Sequence, residues 1–476
     1  MKEFKRIGNE DAVHTYARML QEMTYEDIPP EVIQYDKWII LDTIGAMLGG
    51  SRMDGIKTVV DMVKEKGGKP EMVIPLYGGK VPASEAGMAI GPMARAADWS
   101  AIHLEAMHTS EHTLPALIAA LGLKEKAEES LDVNGKDFLL AFALGQEILI
   151  KIGNAWKPTY AVGHGRSNGH YIFGSTASVA KLLGLNYEQC LNAWGIVRSM
   201  TQPHDMAAFH PICHMVKIHH GYVTQDTINA CEMALRGITG PHNEVITGQR
   251  GFLGMAGWTT YPEELWNGLG TKWDQTQLES KSFPGCKSTT TAVFGIWELM
   301  EKYNLKKDDI ANIKFYMPEV SMEMLAGPQE EKLNPADEYE CQFSLPYMIA
   351  TAVEDGKIVP SSYWSDARAR ESVRSFMPKV ELIRRDGIKP WACDIELTTT
   401  DGRVITMFSD PDHIRGSLYN QFTEEDYIEK FKILAPYSVY KLSDETIDKL
   451  INTILHLEDV EDVLEEVIMP LTPDVE

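Results

Sequence analysis

The chain is short of cysteine, of positive charge and of long apolar runs, and each shortage excludes something. Six cysteines in 476 residues, at positions 190, 213, 231, 286, 341 and 393, form no C-x-x-C pair. A chain of this length with scattered thiols reads as reduced, with most thiols buried, and not as a disulfide framework. Lysine and arginine number 45 against 69 acidic residues, a net charge of −24. Nucleic acid and anionic membrane are therefore poor partners, because both demand a basic face. No stretch reads as a run of about 18 apolar residues, so no membrane span is expected. The N-terminus, Met-Lys-Glu-Phe-Lys-Arg-Ile, lacks the apolar core of a signal peptide. A cytoplasmic location is the expectation. Nucleotide chemistry has no visible anchor either: a glycine-rich G-x-G-x-x-G turn and a phosphate-binding loop are both missing, as is the H-E-x-x-H zinc motif.

What is present is helix, with small residues at helical spacing. Residues 10–50 read as two helices, with Pro29-Pro30 opening the second and Val32, Tyr35, Trp38, Ile39, Leu41 and Ile44 forming a broad apolar face. Further helices are expected over 51–66, 83–97, 113–126, 135–153, 174–185, 188–199, 215–235 and 262–268. Near residue 270 the texture changes. A helix over Thr289–Tyr303 is followed by strand-like alternation at Ile310–Tyr316, Val380–Ile383, Cys393–Thr399 and Arg403–Phe408, the last two joined by the turn Thr400-Asp-Gly-Arg. From Thr423 the chain returns to helix, ending in an acidic amphipathic stretch at 444–468. At this length two domains are the default. The expected architecture is mainly α: a large helical domain from residues 1–270 and 410–476, with a smaller α/β lid domain inserted at 271–409.

The most unusual stretch is residues 94–119, where Asp98, His103, His108, His112 and a glutamate fall between two apolar helices. Ionisable groups in such a place are costly unless paired or used. A second histidine group follows at 204, 210, 214, 219 and 220. His210-x3-His214 would place two imidazoles on one helical face, as a metal pair needs, but Pro211 breaks that helix and no metal is expected.

With Asp98 and His108 in view, the chain resembles the MmgE/PrpD family, which holds 2-methylcitrate dehydratases, cis-aconitate decarboxylases and an iminodisuccinate epimerase. The resemblance runs nearly end to end. Leu41-Asp-Thr-Ile-Gly-Ala-Met-Leu-Gly-Gly is similar to the family's opening helices, and Ala96-Ala-Asp98 stands where the family carries Asp-x-Asp-Asp-Thr. His108, seven residues before Pro115, matches the active-site histidine. Arg236-Gly-Ile-Thr-Gly-Pro, Gly248-Gln-Arg-Gly-Phe, Lys281-Ser-Phe-Pro-Gly-Cys, Phe343-Ser-Leu-Pro-Tyr347 and Lys430-Phe431 follow in the family's order.

The resemblance implies a helical domain with a smaller lid, a homodimer, no metal or organic cofactor, and a small carboxylate substrate. It implies chemistry through a carbanion beside a carboxylate, which needs cations to hold the substrate and an acid/base near the reacting carbon. His108 is the first choice for acid/base, since imidazole titrates near neutrality. Asp98 would orient it or bind a substrate hydroxyl. Lys217, after a one-residue shift, and Lys281 are the cations. A second histidine is expected near Gly165: His164 fits with a one-residue insertion, His170 is the rival, and Arg166 between them suits a carboxylate. Tyr347 would donate a hydrogen bond from the lid. Asp98, His108, His164, Lys217 and Tyr347 thus form the expected catalytic set, and His103, Arg166, His170 and Lys281 the substrate-binding set.

The departures also matter. Ser100-Ala101-Ile102 replaces two acids and a hydroxyl, Phe283 replaces a tyrosine, and Lys287 with a run of threonines replaces a basic residue and a histidine. They argue against 2-methylcitrate dehydration. Three readings stand: a cofactor-independent lyase, dehydratase or decarboxylase; a two-base epimerase or isomerase; and a binding protein that lost the chemistry.

Overall fold

A computed structural model describes residues 2–126, 132–157, 169–201 and 211–473. Among the described residues, the first half of the chain contributes nine long helices to the larger part: α1 (Ala12–Glu22), α2 (Pro30–Gly50), α3 (Ile56–Lys66), α4 (Ala83–Ala96), α5 (Ser110–Ala120), α6 (Gly135–Trp156), α7 (Tyr171–Leu182), α8 (Tyr187–Met200) and α9 (Met215–Leu235). A two-stranded antiparallel pair, β1 (Met72–Val73) and β2 (Lys80–Val81), sits between α3 and α4. Local chemistry sets the helix starts. Asp11, Asn134 and Asn186 accept backbone N–H groups of the first turns of α1, α6 and α8, and Pro30 opens α2.

Helix α2 is buried along most of its length and carries Asp36, Lys37 and Asp42 into the interior. Helix α6 corrects one expectation from the sequence. It is long and apolar enough to cross a membrane on length and composition, but 94% of that apolar window is buried inside the protein. Its Glu147 and Lys151 form an internal ion pair that Asp274 completes.

The smaller part begins with α10 (Thr290–Tyr303) and a four-stranded sheet of β3 (Ile310–Met317), β4 (Val380–Arg384), β5 (Cys393–Thr399) and β6 (Val404–Ser409), in the order β4-β3-β5-β6. Strands β3 and β4 are parallel, while β3/β5 and β5/β6 are antiparallel. The β5–β6 hairpin turns at Gly402, whose φ of +87° suits glycine. Residues along β5 alternate between full and partial burial, and α10 and α11 (Leu345–Asp355) cover the sheet. The chain then returns to the helical part, where α12 (Glu424–Leu434) and α13 (Asp444–Leu455) pack on α2. Two elements are shorter than the sequence pattern suggests: Pro262–Leu265 is a single 3-10 turn, and the last amphipathic helix stops at Leu455. All six cysteines are unpaired, and only Cys213 is exposed.

The close contact of α4 against α9 holds two of the segments that build the site. A Cβ on Gly91 of α4 would lie 2.7 Å from the His220 carbonyl, and one on Gly221 of α9 would lie 2.5 Å from the Met88 carbonyl. Neither oxygen can yield without moving a helix. Gly221→Ala should therefore lower stability by about 1–3 kcal/mol, read as an earlier urea midpoint. An unchanged midpoint would contradict this packing.

Candidate active site

Arg95 lies in the last turn of helix α4, and just beyond the helix the chain turns at Asp98 through a left-handed backbone conformation (φ +53°). Aspartate tolerates this better than most residues. The turn aims the Asp98 carboxylate inward. There Arg95 Nη1 lies 2.5 Å from Oδ1, Lys281 Nζ 2.5 Å from the same oxygen, and Lys217 Nζ 2.9 Å from Oδ2. Lys281 also donates to the carbonyls of Asp98 and Gly285. Burial alone would raise the Asp98 pKa, but the three cations outweigh it and hold the carboxyl well below its usual range. Lys217 is affected in the opposite direction. Burial, then the Arg95 charge, pushes its ammonium down to about 7 despite Asp98.

His108 stands beside this group, with its tautomer set by its neighbours. Arg95 Nη2 donates to Nε2 at 3.0 Å, and a guanidinium can only donate, so Nε2 holds the lone pair. The proton is therefore on Nδ1, 2.8 Å from Glu111 Oε2. That approach is an ion-pair distance without hydrogen-bond alignment, since neither atom has a well-directed partner among the described residues. Burial, then Arg95, pushes His108 down to about 4, against the pull of Glu111. Burial would raise Glu111, but His108 and Arg95 outweigh it and bring it to about 2. Ser100 donates a short hydrogen bond to the other Glu111 oxygen. At 8% exposure His108 is the most accessible of these groups, against 1% for Asp98 and 0% for Lys217.

A second imidazole chain lies behind the first. His112 Nδ1 is 2.5 Å from the His108 carbonyl, which only accepts, so it carries a proton. His112 Nε2 then accepts from His220 Nδ1, also at 2.5 Å. Tyr171 stacks on His112 at 3.9 Å between ring centroids.

Among the expected site residues, Asp98, His108, Lys217 and Lys281 converge. His103 does not join them. Its Nδ1 accepts the N–H groups of Glu105 and Ala106, its backbone pairs with Met107, and its charged neighbours are Asp274, Lys151 and Lys272. It holds the loop that presents His108. His170 stands closer, within the field of His108, but its Nε2 is occupied by the Ala106 carbonyl at 2.9 Å. Tyr347 is buried in α11, and its hydroxyl donates to the Ser362 carbonyl at 2.5 Å. His164, Arg166 and His210 lie outside the described residues. No cluster of three or more metal-ligating side chains occurs among the described residues.

Arg95 and the Glu111 partnership were missed by the sequence reading. Arg95 sits in an alanine-rich helix with nothing local to mark it. Glu111 stands in the first turn of α5 and His108 in the loop just ahead of it, so their pairing depends on where the helix starts.

The chain belongs to the MmgE/PrpD family: residues 14–260 match the MmgE/PrpD N-terminal domain and residues 283–457 the MmgE/PrpD C-terminal domain. Among similar proteins, the human cis-aconitate decarboxylase is 26% identical, over 94% of this chain and 92% of the human protein. A cis-aconitate decarboxylase of Aspergillus terreus is 24% identical over 92% of each chain. The cis-aconitate decarboxylase-like protein oryM of Aspergillus oryzae is 23% identical, over 93% of this chain and 94% of that protein. The activity in these names is a carbon–carbon lyase reaction.

The buried histidines give stability a defined pH dependence. His103, His108 and His170 are each pushed to about 4, by burial first, against about 6.5 when unfolded. Between those values the unfolded chain binds more protons, so stability is lost as pH falls from about 6.5 to 4. His108→Gln should flatten part of that slope in urea midpoints taken across this window. An unaltered slope would mean His108 is protonated in the folded protein.

Proposed function

We propose that this protein is a lyase that decarboxylates or dehydrates a small di- or tricarboxylate through an enediolate-like intermediate. The observation that carries the reading is the concentration of buried cations. Arg95, Lys217 and Lys281 face two carboxylates, Asp98 and Glu111, so with Lys217 protonated the cluster holds one positive charge more than it balances. A substrate carboxylate would supply the missing negative charge. Cations fixed in a water-poor site stabilise charge developing on a carboxylate far better than they would in water.

Decarboxylation takes up one proton per turnover: R–COO⁻ + H⁺ → R–H + CO₂. Electrons of the breaking C–C bond move toward the retained carboxylate, and the resulting carbon takes a proton. Lys217 is suited to supply it, because its ammonium sits near neutrality and an arriving anion would favour the protonated form. His108 Nε2 carries a lone pair that accepts from Arg95; with Arg95 drawn to a substrate carboxylate, that nitrogen would be released to remove a proton, which dehydration requires. The relatives named cis-aconitate decarboxylase favour the first of the two reactions. An epimerase would use the same pair with split roles, neutral His108 removing a proton and protonated Lys217 returning one, with the roles exchanged in the reverse direction.

Proton NMR in deuterated buffer, with citrate-like, aconitate-like, aspartate-like and hydroxy-acid substrates, tests the assignment. Loss of CO₂ or formation of an alkene is expected. Deuterium entering an unchanged skeleton would replace the lyase with the epimerase, and silence across the panel would overturn both. With an active substrate, Lys217→Met and His108→Ala should each cost at least about 100-fold in turnover.

Proton linkage gives a second check. At pH 8 Lys217 is mostly neutral, so binding of tricarballylate, a tricarboxylate with neither hydroxyl nor alkene to react, should draw part of a proton from solution. Calorimetry in buffers of different ionisation enthalpy would measure that uptake, and Lys217→Met should abolish it.

A further inference from the structure

The catalytic loop is held from behind by a residue 331 positions further along the chain. Lys430, on α12, donates a short hydrogen bond to the Trp99 carbonyl and lies 2.6 Å from Asp42 Oδ1 on α2. The other oxygen of Asp42 accepts the Ala101 N–H at 2.8 Å. The Trp99 indole N–H in turn donates to the Lys281 carbonyl at 2.8 Å, and Lys281 Nζ grips Asp98. A continuous polar circuit therefore runs from α12 through residues 99–101 to both ends of the Asp98–Lys281 pair. Lys430 and Asp42 are both buried, and neither touches the Asp98 carboxylate directly.

Glycines allow α12 to come close enough for this. A Cβ on Gly45 of α2 would stand 3.3 Å from both Leu434 and Phe431, and one on Gly49 would stand 2.4 Å from Leu434 Cδ2. With bulkier residues at those positions α12 would sit further out, and the Lys430 side chain would fall short. Leu434 also packs against Trp99, so the same helix seats the ring whose N–H anchors Lys281.

We infer that Lys430, supported by Asp42, is a positioning residue for catalysis, delivered by α12 to hold residues 98–101 and thereby set the Asp98–Lys281 geometry. The inference rests on the reading that Asp98 and Lys281 carry the chemistry. It assigns α12 a part in activity that burial alone would not.

Lys430→Met alone leaves Asp42 as an uncompensated buried charge, which would unfold many proteins. The informative variant is therefore Lys430→Met with Asp42→Asn, which removes both charges at nearly constant volume. Its thermal midpoint should stay near that of the wild type, while kcat per folded site falls at least about tenfold and KM moves less than about threefold, the signature of lost alignment. Wild-type kcat in the folded double variant would overturn the inference. Gly49→Ala, which backs Leu434 and α12 away without altering a polar group, should give the same split in milder form; an unchanged kcat there would also count against it. Lys432→Met, exposed on the same helix and paired with Asp448, serves as the unaffected control. A crystal structure of the double variant gives a readout independent of turnover: the Asp98–Lys281 contact should lengthen beyond 2.5 Å. If it lengthens while the wild type turns over no substrate, the functional reading fails and the positioning role stands; if it is unchanged, the positioning role fails.

Discussion

The structure around the site depends on a single buried carboxylate. Without Asp98, the charges of Arg95, Lys217 and Lys281 would crowd together in the interior with Glu111 as the remaining carboxylate in the cluster. Without the cations, Asp98 could not stay ionised at 1% exposure. The arrangement joins three distant parts of the chain: the end of α4, the start of α9 and the loop before α10. Breaking such a network by removing one member costs more than the network contributes, because the remaining members are left charged and dry. The cluster therefore acts as a specification of geometry more than as a source of stability.

The histidines obey the same constraint. Buried beside cations, they are kept neutral, and each neutral ring has one donor and one acceptor nitrogen whose placement follows from a fixed neighbour. Arg95 fixes His108, the His108 carbonyl fixes His112, and His112 fixes His220. No ring in this series is free to choose its tautomer. His103 and His170 brace the loop by bonding to its backbone, at Glu105 and Ala106 for the first and at the Ala106 carbonyl for the second.

Much of the fold could be read from hydrophobic period and caps. Helices α2, α4 and α9 and all four strands of the larger sheet fall within a few residues of their expected places, because amphipathic spacing and turn residues are local signals. The error at α5 was also local. Pro115 looks like a helix opener, which places the expected start at Thr113, whereas the helix starts at Ser110 and carries Pro115 inside it. The earlier start brings Glu111 into the first turn, beside His108. The convergence of Lys217 and Lys281 on Asp98 carries no local signal at all; only resemblance to known proteins marked them. His103 and Tyr347 show the converse limit. Their residue types suit chemistry, but hydrogen bonds to the backbone, visible only in three dimensions, already occupy His103 Nδ1 and the Tyr347 hydroxyl.

The spacing of the charged partners along the chain bears on how the protein is made. Asp98 meets Lys217 across 119 residues and Lys281 across 183, while Trp99 waits for Lys430 across 331. Contacts of such long sequence separation close late, because the loop entropy they require is spent before they return anything. During synthesis, α2, α4 and α5 emerge with Arg95 but well before Lys217 and Lys281, which complete the neutralisation of Asp98, and before Lys430, the partner of Asp42. Until α12 arrives, the nascent chain carries a half-built active site whose carboxylates must remain hydrated, so a helix far along the chain is needed before the catalytic core can become dry.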